Sequence, residues 1–207
     1  MEYEPTWRLN MSDICRDFYN LSKKYSGSNS SSQDDSEIST NDYYISVEDA
    51  IKAHRSKDGN KELAWQSFKY HSSTDIEAKY WLGYYYYHDK EIPELQNMSK
   101  EERVRIAVEI FKETADKGNP SAQLRYGMCL WKGEGISIDS FEALKYLKLA
   151  ADSGNAAAMY IVGKVYWSGG NGIDQDKEKG AEYLKNAVRN DHQKAIEMCS
   201  ANNIAFK

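Results

Sequence analysis

Proline and cysteine are both rare in this sequence, three of each in 207 residues. With so few prolines, little stands in the way of long helical stretches. The cysteines, Cys15, Cys129 and Cys199, are odd in number and widely spaced. That excludes a disulfide framework or a CxxC metal site, and reduced thiols in a cytoplasmic protein are expected. Cys129 is expected to act as a small core residue. The four histidines, His54, His71, His88 and His192, share no ligand spacing with other metal-binding types, so no metal and no cofactor are expected. No run of about eighteen apolar residues and no apolar N-terminal core occurs, so neither a membrane span nor a signal peptide is expected. The net charge is −5 and the basic residues are scattered among acidic ones, which argues against nucleic acid as a partner. No Ser/His/Asp or Cys/His set converges by helical geometry, and no catalytic residue is assigned.

What is present is repetition. Alanine is followed five residues later by glycine in Ala78–Gly83, Ala122–Gly127 and Ala158–Gly163, at offsets of 44 and 36 residues. Such periods mark stacked helical repeats, each a unit that cannot bury its apolar face alone. The first helix of each pair carries an apolar quartet: Ala78, Leu82, Gly83, Tyr86; Ala122, Tyr126, Gly127, Leu130; Ala158, Val162, Gly163, Tyr166. Glycine inside a helix costs about 1 kcal/mol against alanine. Its recurrence at one register predicts a close approach by a neighbouring helix. The second helices carry Ala107, Ile110, Phe111, Ala115 and their counterparts, with Ser99/Glu102 and Asp139/Glu142 as capping pairs. They end at Gly118 and Gly154, with Asp191 at the corresponding place in the third copy.

The glycine-rich stretches Lys132–Ile136 and Ser168–Ile173 join helix to helix at the repeat period, and they read as structural turns rather than phosphate cradles. The corresponding stretch of the first copy, His88 to Met98, is longer and is expected to project as an extra contact element.

Ahead of the repeats, residues 1–25 read as one helix, with Ile14, Phe18, Leu21 and Tyr25 on a single face. Residues 26–45 are polar, Ser-rich and acidic, and are expected to be a disordered linker in which Ser31 and Ser32 suit acid-directed phosphorylation. Residues 46–207 form the repeat array: a degenerate leading pair at 46–77 opened by a capping box at Ser46–Asp49, repeats at 78–121, 122–157 and 158–194, and a C-terminal cap at 195–207.

The spacing A-x-x-x-L-G-x-x-Y, then G-x-G, then A-x-x-Y-x-x-x-A-A-x-x-G resembles the Sel-one-like repeat family, a relative of the tetratricopeptide repeat. The second copy matches most fully, at Ala122, Gly127, Gly133, Gly135, Ala143, Tyr146, Ala150, Ala151 and Gly154. The resemblance implies an all-α fold, an α/α superhelical repeat solenoid of antiparallel helix pairs, and an adaptor or scaffold that binds a protein or peptide partner. In tetratricopeptide arrays, the positions three before the glycine, one after and four after line the concave groove. Similarity assigns them here to Tyr80, Tyr84, Tyr87, Leu124, Met128, Trp131, Tyr160, Lys164 and Trp167. Two readings of this stripe stand: side chains buried between repeats, or a groove with aromatic anchors and Lys164 as a polar pin. Residues 4–22, from Glu4–Arg8 through Met11, Ile14 and Phe18, resemble the final helix of a protein kinase domain, with Leu9 where proline is usual. That resemblance implies a second reading, a regulatory tail or remnant of a kinase-like signalling protein without kinase activity, and places a kinase or kinase-like protein among the candidate partners.

Overall fold

A computed structural model describes residues 44–88 and 92–206. The expected N-terminal helix at 1–25, most of the linker, and with them Cys15, Ser31 and Ser32, lie outside the described residues. The described part is an all-α solenoid of antiparallel helix pairs. Its elements are α1 (Val47–Arg55), α2 (Lys61–His71), α3 (Ile76–His88), α4 (Pro93–Gln96), α5 (Lys100–Asp116), α6 (Pro120–Lys132), α7 (Ser140–Asp152), α8 (Ala156–Ser168), α9 (Lys177–Arg189) and α10 (Gln193–Ala201). The pairs are α1/α2, α3/α5, α6/α7 and α8/α9, with α10 packed on the last.

Side-chain caps start the helices where the sequence pattern places them. Ser46, Ser99 and Asp139 each accept the backbone N–H three residues on, from Asp49, Glu102 and Glu142. The recurring glycines do what their register requires. A Cβ on Gly83 would sit 2.9 Å from Phe111 Cε1, one on Gly127 2.8 Å from Leu147 Cγ, and one on Gly163 2.9 Å from Leu184 Cγ. Each contacting residue lies on the second helix of the same pair, so the glycine allows an approach that any side chain would block.

The turns between repeats share one geometry. Gly118 and Gly154 take positive φ values of 92° and 87°. The next residue, Asn119 or Asn155, caps the following helix by accepting from Ala122 N–H or Ala158 N–H. The third copy keeps the backbone hydrogen bonds, Asp191 N–H to Val188 O at 2.9 Å and His192 N–H to Ala187 O at 3.0 Å. It does so with Asp191 at φ 57°, and His192 makes no side-chain cap.

Three expectations are corrected. Tyr44 and Ile45, placed at the end of the linker, lie against α2: the Tyr44 and Tyr70 rings stack at 4.5 Å, and Ile45 N–H donates to Ser67 Oγ at 3.2 Å. The described part of the 88–98 stretch does not project, because Ile92 and Leu95 are each only 2% exposed within the core. Between them Glu94, in α4, accepts from Gln66 Nε2 at 2.7 Å and pairs with Lys69 at 2.7 Å. In α3 the buried arc is rotated from the expected quartet: Trp81 and Tyr85 are buried, while Leu82 and Tyr86 are only partly so. The leading pair is the cause, since Phe68 of α2 stacks on Trp81 at 5.7 Å and Trp65 meets Tyr85 at 5.7 Å. In α6 all four quartet residues are buried as expected, and in α8 Tyr166 alone is partly exposed.

Candidate partner-binding stripe

The nine residues of the expected stripe fall on the first helices α3, α6 and α8. Tyr80 does not belong to an open surface. It is 7% exposed, packed 6.0 Å from the Phe111 ring, so its phenol serves the core. Burial raises its pKa, partly offset by the adjacent Arg125. Its cover comes from α5 and α6, through Phe111 and the Arg125 side chain.

The other eight side chains are half-buried or exposed. Tyr84 is ringed by His54 at 5.3 Å, Trp81 at 5.1 Å and His88 at 4.4 Å, and the Arg125 guanidinium lies 5.4 Å over its face. Tyr87 donates its hydroxyl proton to the Glu134 carboxylate in the turn after α6. Burial, and then this bond, raises its pKa above the usual phenol range. Leu124, Met128 and Trp131 pack partly buried on the core cluster shared by α7 and α8, and Trp131 also packs on the cluster that runs from α1 to α7. Tyr160 stacks on His192 at 4.8 Å, and Trp167 carries Lys177 5.5 Å over its ring. Lys164 is exposed. Of the nine residues, Tyr80 is buried, Lys164 is exposed, and the other seven are half-buried.

Sequence reasoning missed Arg125, which lies one position outside the chosen register, and the caps Asn119 and Asn155. The signal for the caps was present as Gly-Asn at the start of two consecutive repeats. Cys129 is buried beneath the stripe, and burial, then the Glu134 carboxylate, pushes its thiol up to about 11. Among the described residues no His/Cys/Asp/Glu cluster could hold a metal ion, and no helix is long and apolar enough to cross a membrane.

Comparison with known proteins agrees with this architecture. The chain is similar to two proteins of Schizosaccharomyces pombe, chitin synthase regulatory factor 2 (30% identical over 42% of this chain) and chitin synthase regulatory factor 3 (28% over 40%). It spans only 17% and 9% of their lengths. Among solved structures, a protective antigen of uropathogenic Escherichia coli with an SLR fold aligns over 70% of this chain and 30% of its own, at TM-score 0.59 and 27% identity. A Sel1 repeat protein from Oxalobacter formigenes shares the fold over 66% of this chain and 96% of its own, at TM-score 0.55 and 22% identity. The Sel1 repeat pattern itself matches residues 76–119, 120–155 and 156–192, more than half of the sequence. With helix pairs, spacing glycines and turns all in that register, the chain belongs to the Sel1 repeat family.

Proposed function

We propose that this chain is a non-catalytic cytoplasmic adaptor that holds a protein or peptide partner along the first-helix stripe, on what becomes the concave face of the superhelix. One observation carries the reading: Tyr84, Tyr87, Leu124, Met128, Trp131, Tyr160 and Trp167 run across three consecutive repeats without full burial. A surface with no partner has no need of so many large apolar groups in one line. Fully covering one such side chain is worth about 1.5–3 kcal/mol, so a few anchors offset the cost of association. The names of the two fission-yeast relatives support a regulatory part rather than a catalytic one.

The test is affinity capture with the full chain and its Tyr84→Ala/Trp131→Ala variant, with circular dichroism and denaturation run on both. Partners held by the parent chain and lost by a variant that keeps its helicity support the proposal. Partners retained in full by the folded variant move the working surface elsewhere. Because both residues also join repeats, Lys164→Glu, on an exposed side chain, supplies a second variant that leaves packing untouched.

A further inference from the structure

Three residues other than glycine hold a positive φ in the described part: Asn171 at 53°, Asp191 at 57° and Asn203 at 55°. The side-chain carbonyl carbon of such a residue can close a five-membered ring with the backbone nitrogen that follows it, if that nitrogen is free to attack. In two of the three it is held. His192 N–H donates to Ala187 O at 3.0 Å, and Ile204 N–H donates to Cys199 O at 2.9 Å, with the Ile204 side chain buried. Asn171 is followed by Gly172, the one Asn-Gly step in the sequence, so no side chain shields the nitrogen. Gly172 N–H has no hydrogen-bond partner among the described residues, and both residues are exposed. With Gly172 at φ 81°, they form a two-residue turn with positive φ at both positions, which Asn-Gly favours in a hairpin. The turn is closed by Gly170 and Ile173, whose N–H groups bond each other's carbonyls at 2.9 and 3.0 Å.

We propose that Asn171 is a site of spontaneous deamidation, a modification set by the turn and independent of what the stripe binds. The Gly172 nitrogen, its proton lost to water or hydroxide, attacks Asn171 Cγ. A C–N bond forms there as the bond from Cγ to the side-chain nitrogen breaks, and ammonia leaves with a proton taken from water. Water then opens the resulting succinimide. Addition at Cγ breaks the new C–N bond and gives aspartate. Addition at the main-chain carbonyl carbon breaks the original peptide bond and gives isoaspartate, whose main chain runs through Cβ and Cγ. The swing of Asn171 that brings Cγ to the nitrogen disturbs one pair of backbone bonds, and the glycines on either side offer no side chain to obstruct it. Isoaspartate lengthens the turn by one carbon and adds a negative charge. Ile173 is buried in the core cluster shared by α7 and α8, and Gly172 lies beside the Phe141 ring of the preceding repeat. The product therefore loosens the joint between the second and third repeats.

Incubating the full chain at mildly alkaline pH, followed by peptide mass mapping, tests this. The peptide containing Asn171 is expected to gain about 1 Da and to split into aspartate and isoaspartate forms, before Asn190, Asn202 or Asn203 convert. Isoaspartyl methyltransferase is expected to label the aged chain at this peptide, and Asn171→Gly to remove that label. The deamidated chain, separated by ion exchange, is expected to unfold at a lower denaturant concentration than the fresh one. Asn171 staying intact, or converting no sooner than the other three, overturns the proposal. So does conversion in denaturant alone, which would make the folded turn a shield. Conversion with an unchanged midpoint keeps the modification site and overturns the loosened joint.

Discussion

The leading end of the array and its later repeats are held together by different means. Between α2 and α3 the joint is made of rings: Trp65, Phe68, Trp81 and Tyr85 meet at centroid distances of 5.7 to 5.8 Å. Between α6 and α7, and between α8 and α9, contact is made by absence, a glycine in the first helix facing a leucine in the second. The first scheme buries more apolar surface per residue and tolerates irregular sequence. The second repeats faithfully because any added atom collides. The array thus uses bulk where its degenerate end meets the first repeat, and small residues where the two helices of one pair must lie close.

The sharpest way to break the comparison is Trp65→Ala. The ring is fully buried, so the variant is expected to lose about 3–5 kcal/mol in chemical denaturation. A loss as small as that of a surface change would mean that the leading pair is not integral to the array. Next comes Gly127→Ala, whose new methyl group would meet Leu147 Cγ at 2.8 Å and the Ala143 carbonyl at 3.1 Å. Overpacking is expected to cost about 1–3 kcal/mol, against a helix-propensity gain of about 1 kcal/mol; a raised melting temperature would refute the close-approach account.

Smaller effects lie in the turns. Asn155→Ala removes a cap bond of 3.0 Å and should cost about 1 kcal/mol. Asp191→Gly should instead gain about 0.5–1 kcal/mol by relieving a left-handed non-glycine residue. Thermal melts of the two variants, moving in opposite directions, check both.

The smallest effect is acid sensitivity at Glu94. Burial pushes its pKa up, but hydrogen bonds from Lys69, Gln66 and Trp65 outweigh that and hold it below the ordinary 4.5. The unfolded chain takes up this proton at higher pH than the folded one. Stability from Glu94 is therefore present above 4.5 and lost as pH falls through the lowered value. Glu94→Gln should flatten that acid limb slightly in pH-dependent denaturation, and an unchanged limb would remove Glu94 from the account.

Legibility in the sequence follows the same division. Where the repeat is regular, the Ala-to-Gly register, the caps Ser99 and Asp139, and the buried quartet of α6 could all be read directly. In α3 the run Tyr84–Tyr87 is aromatic on every side, so periodicity cannot tell the buried ring from the exposed one, and Tyr85 rather than Tyr86 faces inward. Tyr80 was hard to place for the same reason, and its ring is buried against Phe111 on the second helix of its own repeat. The insertion at 88–98 looked like a projecting loop because of its length and irregular pattern, which obscured the apolar signal of Ile92 and Leu95. Of the stripe, the sequence offered the line of half-buried residues, but not Arg125, whose guanidinium stands over Tyr84 of the preceding repeat.

The facing of a glycine on a large apolar side chain inside each of the three repeat pairs has a mechanical meaning. A helix pair with no spare atom at its contact is stiff in bending and shear, so the compliance of the array collects at the seams between pairs. Tyr84, Trp131 and Trp167 belong to three successive stiff units. Any segment held across all three, as proposed, would bridge two seams and act as a splint, fixing the pitch of the array.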